Sequence, residues 1–371
     1  MKPPGVMQVV DSLDLGGTET VAVNLANRLP RDRFRNYLCS TRAGRDGGPL
    51  AASLEKDVQH LALDRKSRVD IPAMLKFRQF VRDENIQLLH VHASSLFFGR
   101  LATWLGPSNR PRVIWHDHYG RCELNDRSPR LYRLAVAGTS GVVAVNHNLV
   151  EWDCRELHMS RERVWYVPNF AVPSQAGGDE PAVLPGAAGS RIVCVANLRP
   201  QKDHFTLLRA FALVRNHRPD AHLLVVGAPI DANYVEALHR ETSLLGLEKS
   251  VSFLGQVPGV SSVLKACDIA VLSSASEGLP LSLLEYGAAG LPSVATSVGQ
   301  CPEVLDHGKA GILVDPGAPE QLAKALRSLL DSSQDRARYG RRFQEFVRKK
   351  FDATAIVNQI CDIYDLVLSA N

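Results

Sequence analysis

Short apolar runs alternate with amphipathic stretches along nearly the whole chain, and they do so in two separate series. In the first, Val6 to Val10, Tyr37 to Ser40, Gln87 to Val91, Arg112 to Trp115 and Gly141 to Val145 read as strands. In the second, the strands are Arg191 to Ala196, Ala221 to Val226, Val251 to Leu254, Ile269 to Leu272, Ser293 to Ala295 and Gly311 to Val314. Strands alternating with helical patterns predict a parallel sheet covered by helices. The first intervening helix, Thr20 to Leu29, places Val21, Leu25 and Leu29 on one face. Between the two series, residues 173 to 190 turn to Pro, Gly, Ala and acid, which marks a linker. Two doubly wound α/β domains are therefore expected, over 1–172 and 191–352. The last helix, about 353–371, carries an apolar stripe of Ile356, Ile360, Ile363, Leu366 and Val367 and is free to pack back on the first domain.

Composition agrees with a two-domain globular chain. Of 371 residues 45% are hydrophobic and 22% charged, which excludes disordered, collagenous and coiled-coil classes. No run approaches the roughly 18 apolar residues of a membrane-spanning helix. The apolar run ending at Asp11 is too brief for a secretory leader, so a cytoplasmic protein is expected. Seven cysteines with no C-x-x-C pair read as reduced and structural, and Cys301, in a Gly-rich loop, has no activating partner in the sequence. Residues 1 to 170 hold 24 basic and 18 acidic side chains, and Arg336 to Lys350 adds seven basic residues against Glu345. That balance suits an anionic partner; peripheral contact with an anionic membrane is the expectation. Nucleic acid is not expected, because aromatics are only 6% and no nucleic-acid motif accompanies the charge.

Neither G-x-G-x-x-G nor G-x-x-x-x-G-K-[ST] follows any strand, which argues against a dinucleotide dehydrogenase and a P-loop enzyme. What remains is a ligand held at strand ends, where open α/β sheets place their sites.

The most informative stretch is Ser276-Glu277-Gly278-Leu279-Pro280-Leu281-Ser282-Leu283-Leu284-Glu285. Pro280 suits a first helical position, leaving the N–H groups of Leu281 and Ser282 at a helix end that attracts phosphate. Glu285 on that helix can accept two hydrogen bonds from a vicinal diol, and Glu277 in the loop can reach another hydroxylated group. Gly290 and Pro292 end the helix. Hydroxyls at both ends with a diphosphate between describe a nucleotide sugar. The same two glutamates also read as a helix-dipole partner and a surface acid.

This stretch, with Gly290-Leu291-Pro292, Pro302-Glu303-Val304 and Gly311-Ile312-Leu313-Val314, resembles the donor-binding half of the family 4 glycosyltransferases, whose fold is the GT-B type with two Rossmann-like domains facing a central cleft. Glu277 and Glu285 match the family's E-x7-E motif. Gly16-Gly17-Thr18-Glu19 is similar to the N-terminal glycine loop, and Asn197-Leu198-Arg199-Pro200-Gln201-Lys202 to the basic phosphate-binding turn. The commoner family spacing puts a basic residue where Asn197 stands here, with Arg199 two positions later as in a variant form.

The resemblance implies transfer of a sugar, with retention of configuration, from a nucleoside diphosphate sugar (UDP- or GDP-linked) to a hydroxyl on a glycan or lipid-linked glycan in cell-surface polysaccharide synthesis. It implies that the domain 1–172 binds acceptor and 191–352 donor. Lys202, Arg199 and the helix end at Leu281 and Ser282 would balance the departing diphosphate. Glu285 would hold the ribose, and Glu277, with the loop at Gly278 and Leu279, the donor sugar. His116 would face the sugar from its other side, and Gly16 and Gly17 would allow close backbone approach. Glu303 aligns with a common family acid and reads equally as a helix N-terminal carboxylate. No metal or other cofactor is expected: His116 and His118 share one strand face, as do His90 and His92, but no third ligand at a recognisable spacing joins either pair. A sugar-nucleotide epimerase or phosphorylase of the same fold, or a catalytically silent scaffolding member, are the other readings.

Overall fold

A computed structural model describes residues 2–42, 48–104, 110–120, 127–170, 172, 182–257 and 259–370. The part of the expected linker from 173 to 181 lies outside the described residues. The chain forms two compact units. One comprises Met1–Tyr119, Asp126–Asn169 and Ala353–Asn371, and the other Gly120–Asn125 and Phe170–Asp352.

The first unit holds seven strands: β1 (Gly5–Val10), β2 (Arg35–Ser40), β3 (Gln59–Ala62), β4 (Ile86–His92), β5 (Arg112–Asp117), β6 (Gly141–Ala144) and β7 (Val164–Tyr166). They lie in the order β3-β2-β1-β4-β5-β6-β7, with every pairing parallel. All six residues of β1 are buried, as a strand covered by helices on both faces must be. The helix after β1 runs from Gly17 to Arg28, three residues earlier than the apolar spacing suggests, because Gly16 supplies the extended cap position. The helix Ala353–Ser369 belongs to this unit and buries Ile356, Ile360, Ile363 and Val367.

The second unit holds six strands: β8 (Arg191–Val195), β9 (His222–Val226), β10 (Val251–Gly255), β11 (Ile269–Leu272), β12 (Ser293–Thr296) and β13 (Ile312–Val314). Their order is β10-β9-β8-β11-β12-β13, again all parallel. Both sheets reverse their winding once, between β1 and β4 and between β8 and β11. In open α/β sheets the crevice beyond the strand ends at such a reversal is where ligands bind. Both units are doubly wound parallel α/β layers.

Candidate functional site

In the second unit the loops that leave β8 and β11, the two strands at the reversal, carry the sequence-predicted residues. After β8 the chain makes one turn of 3-10 helix, Pro200–Lys202, with exposed Arg199 at its extended N-cap. Asp203 then takes a left-handed conformation (φ 45°) and caps the helix His204–His217 by accepting from the Thr206 amide. This tight reversal turns the Lys202 side chain back toward the loop after β11. There its Nζ meets Glu277 Oε1 at 2.5 Å, with side chains 12% and 5% exposed. The same carboxylate oxygen accepts from Ser274 Oγ at 2.5 Å. Backbone bonds fix the two loops to each other: Ala275 N–H donates to Gln201 O, and Gln201 Nε2 donates to Ser276 O.

A third loop supports the second. Gly299 sits at φ +51°, and a Cβ there would come within 2.0 Å of Glu277 O, so only glycine lets the backbone pass this close. The neighbouring Gln300 N–H donates to Gly278 O at 3.0 Å. Leu279 is buried.

The helix Leu281–Ala288 starts directly after. Pro280 occupies its N-cap position rather than the expected first helical one, a shift of one residue. Leu283 and Leu284 make the first helical bonds, both to Pro280 O, so the amides of Leu281 and Ser282 precede the hydrogen-bonded ladder. Two amides at the positive end of a helix dipole favour an anion. Gly290 closes the helix at φ +72°, its neighbour Leu291 donating back to Tyr286 O.

Glu285 lies one turn further along. It keeps part of its surface open, yet its carboxyl is deep enough among protein atoms that desolvation raises it to about 7. Among the described residues it makes no side-chain hydrogen bond or ion pair, so its acceptor capacity is unused. Asn197 is already engaged, its Oδ1 accepting from the Ala228 amide and tying the end of β8 to that of β9.

In the first unit Gly16, at φ −142°, is extended backbone that any residue adopts, and a Cβ there would meet only the Glu19 side chain. Gly17 opens the helix. His116 falls inside β5 rather than after it, and is 2% exposed. Its register partner on β4 is His92, and two residues earlier His90 of β4 lies opposite Gln8 of β1. The two histidine pairs seen in the sequence are thus one cluster, which corrects the expectation that no third imidazole joins either pair. One ring nitrogen from each of His90, His92 and His116 lies within 4.8 Å of the others. The H-x-H spacing on β4 was visible in the sequence, but the register that sets it beside β5 was not.

Tyr364, from the helix Ala353–Ser369, places its hydroxyl 2.6 Å from His90 Nδ1 and accepts from Gln8 Nε2 at 3.0 Å. Burial lowers His90 to about 3 and holds His92 and His116 well below the usual histidine range, so the rings are neutral. Beside this cluster the Arg127 guanidinium pairs with Asp117 at 2.5 Å and lies over the rings of Trp115, Tyr119, Tyr132 and Trp152.

Comparison with known proteins matches this geometry to a family. Residues 15–175 match the model described as Glycosyltransferase Family 4, and residues 188–346 that described as Glycosyl transferases group 1. The chain is 27% identical over 310 residues to N-acetyl-alpha-D-glucosaminyl L-malate synthase of Bacillus anthracis, covering 81% of this chain and 80% of that protein. It is 24% identical to UDP-Gal:alpha-D-GlcNAc-diphosphoundecaprenol alpha-1,3-galactosyltransferase of Escherichia coli, covering 85% of each. Among solved structures, HepE of Anabaena in complex with UDP and glucose superposes with a TM-score of 0.79 at 21% identity, covering 98% of this chain and 99% of that one. With two parallel α/β units of the GT-B type and both halves matched, the chain belongs to the family 4 glycosyltransferases.

Proposed function

We propose that this glycosyltransferase moves a sugar from a UDP- or GDP-sugar to a hydroxyl of a glycan or lipid-linked glycan, with retention of configuration. The observation that carries the reading is the grouping, within the second unit, of Lys202, Glu277, the helix end at Leu281 and Ser282, and a Glu285 whose carboxyl has no side-chain partner among the described residues. Lys202 and the two amides match the negative charge of a diphosphate leaving group. Arg199, exposed one turn earlier, adds a second cation. Glu285, once ionised, presents two acceptor oxygens to a ribose diol, and Glu277 lies where a donor sugar hydroxyl would compete for its bond to Ser274. In this reading protein cations and amides balance the leaving-group charge, and no metal takes part in the transfer.

The relatives support the donor class and the acceptor class by their names alone: one acts from UDP-Gal on a diphosphoundecaprenol-linked sugar, and another structure holds UDP and glucose. Calorimetric titration with UDP, GDP and ADP, followed by the matching sugar nucleotides, tests it. Micromolar binding of one diphosphate, lost in Lys202→Ala, supports the reading; no binding to any of them removes it. The anomeric configuration of the product, read by NMR coupling constants, tests retention.

We also propose peripheral contact with the cytoplasmic face of an anionic membrane. No helix of the described residues is long and apolar enough to cross one. The helix Pro129–Val136 leaves Leu131 and Leu134 65% and 77% exposed beside exposed Arg130, the apolar and basic mixture that settles at a lipid surface. Failure to sediment with anionic liposomes at low salt removes this part.

A further inference from the structure

The polar row buried in the first unit has more binding capacity than its own hydrogen bonds use. Gln8, His90, His92 and His116 stand side by side on β1, β4 and β5. Ring centroids are 4.7 Å apart for His90 and His92, 5.0 Å for His90 and His116, and 5.1 Å for His92 and His116. Polar groups buried in a folded protein are ordinarily hydrogen-bonded. Yet both nitrogens of His116 and Nε2 of His90 have no partner among the described residues.

Meanwhile the opposite edges of two rings are held. His90 Nδ1 is fixed by the Tyr364 hydroxyl, and His92 Nε2 by Gln8 Oε1 at 2.9 Å. An outer hydrogen bond on one imidazole nitrogen is the usual support of a metal-binding histidine, and in His90 it leaves Nε2 without a partner among the described residues, whereas Nδ1 of His92 meets His118 Nε2. We infer that His90, His92 and His116 form a binding site for one borderline divalent cation, with Zn2+ as the representative ion.

The donor set selects the ion. Three neutral imidazoles and no carboxylate suit Zn2+, Ni2+ or Cu2+, whereas Mg2+ and Ca2+ require oxygen ligands. Zinc–nitrogen bonds of about 2.0–2.1 Å put tetrahedral ligand atoms about 3.4 Å apart. The three nitrogens, already within 4.8 Å, reach that spacing by turning of the rings. Three protein ligands leave a fourth position open. His118 lies beside the cluster, its Nε2 3.0 Å from His92 Nδ1, a contact that the ion would replace. The inference stands on this geometry alone and does not depend on the transferase reading.

The test is titration of the chelator-treated full chain with Co2+ and then Zn2+. One Co2+ per chain is expected, with the intense visible absorption of a four-coordinate nitrogen site, displaced by Zn2+. Affinity should fall at least about tenfold in His90→Gln and in His116→Asn. The exposed His217→Gln should leave it unchanged. Absence of stoichiometric binding, or affinity equal to the unsubstituted chain in both variants, overturns the inference. Anomalous diffraction at the zinc edge from a soaked crystal of the unsubstituted chain requires no variant to fold. A peak between the three rings upholds the site, and no peak there overturns it.

Discussion

Lys202 Nζ and Glu277 Oε1 lie 2.5 Å apart, from loops that follow two adjacent strands of one sheet, and each side chain is almost wholly shielded from water. The two residues are therefore one unit before any ligand arrives. Truncating Lys202 to alanine leaves a buried carboxylate whose remaining side-chain partner among the described residues is the Ser274 hydroxyl. Removing one partner of a buried pair costs about 3 kcal/mol, which urea unfolding of Lys202→Ala should show. Losing one charge-assisted hydrogen bond should also weaken nucleoside diphosphate binding by about 10- to 100-fold.

Glu277→Gln separates the two roles of that pair. The amide oxygen still accepts from Ser274, but Lys202 is released from its counter-charge and is free for phosphate. Calorimetry should find diphosphate affinity unchanged or higher, while sugar transfer from the intact donor falls. A parallel loss of diphosphate binding would contradict the assignment of Glu277 to the sugar side.

Glu285 makes the second unit sensitive to pH. Its carboxyl is raised by desolvation from an ordinary 4.5 to about 7 in the folded chain, so the folded state holds a proton that the unfolded state has released. The stability this contributes is complete below about pH 4.5 and is lost as pH rises through about 7. Glu285→Gln should flatten the fall in melting temperature between about pH 4.5 and pH 7. Ribose binding needs the ionised form, so nucleotide affinity should strengthen over the same interval in the unsubstituted chain and stay flat in the variant.

Gly299→Ala tests the support beneath the donor loop. The added methyl would stand 2.0 Å from Glu277 O in a backbone conformation with φ +51°. Backbone strain and displacement together should cost about 1–3 kcal/mol. Because the displaced carbonyl belongs to Glu277, transfer should fall even where thermal melting shows the variant folded.

Much of this architecture can be read from the sequence because parallel strands are apolar along their length. Val6 to Val10 and Ile269 to Leu272 declare themselves. The strands that do not are β3 and β7, at the two edges of the first sheet. β3 has the mixed sequence Gln59-His60-Leu61-Ala62 and only Leu61 buried, and β7 is three residues long, so neither presents an apolar run. In the site, Glu277, Glu285 and Lys202 stand out by spacing. Ser274, Gly299 and Tyr364 do not: Gly299 and Tyr364 act through partners far along the chain, and a serine three residues before Glu277 carries no spacing signal of its own. The His90, His92 and His116 cluster was half legible: period-two spacing gives a face, but only register gives a neighbour.

The hydroxyl of Tyr364 reaches Gln8 across 356 positions of chain, and that closure dictates an order of assembly. The sheet begun at Gly5 is not sealed until a segment made after the whole second unit has emerged. At about 5–20 residues per second, roughly ten to forty seconds of synthesis separate Asn169 from Tyr364. During that interval the second unit, continuous from Phe170 to Asp352 apart from Gly120–Asn125, can complete its own sheet. The polar row of Gln8 and the three histidines, meanwhile, waits without its roof. In this chain the part synthesised first is the part finished last.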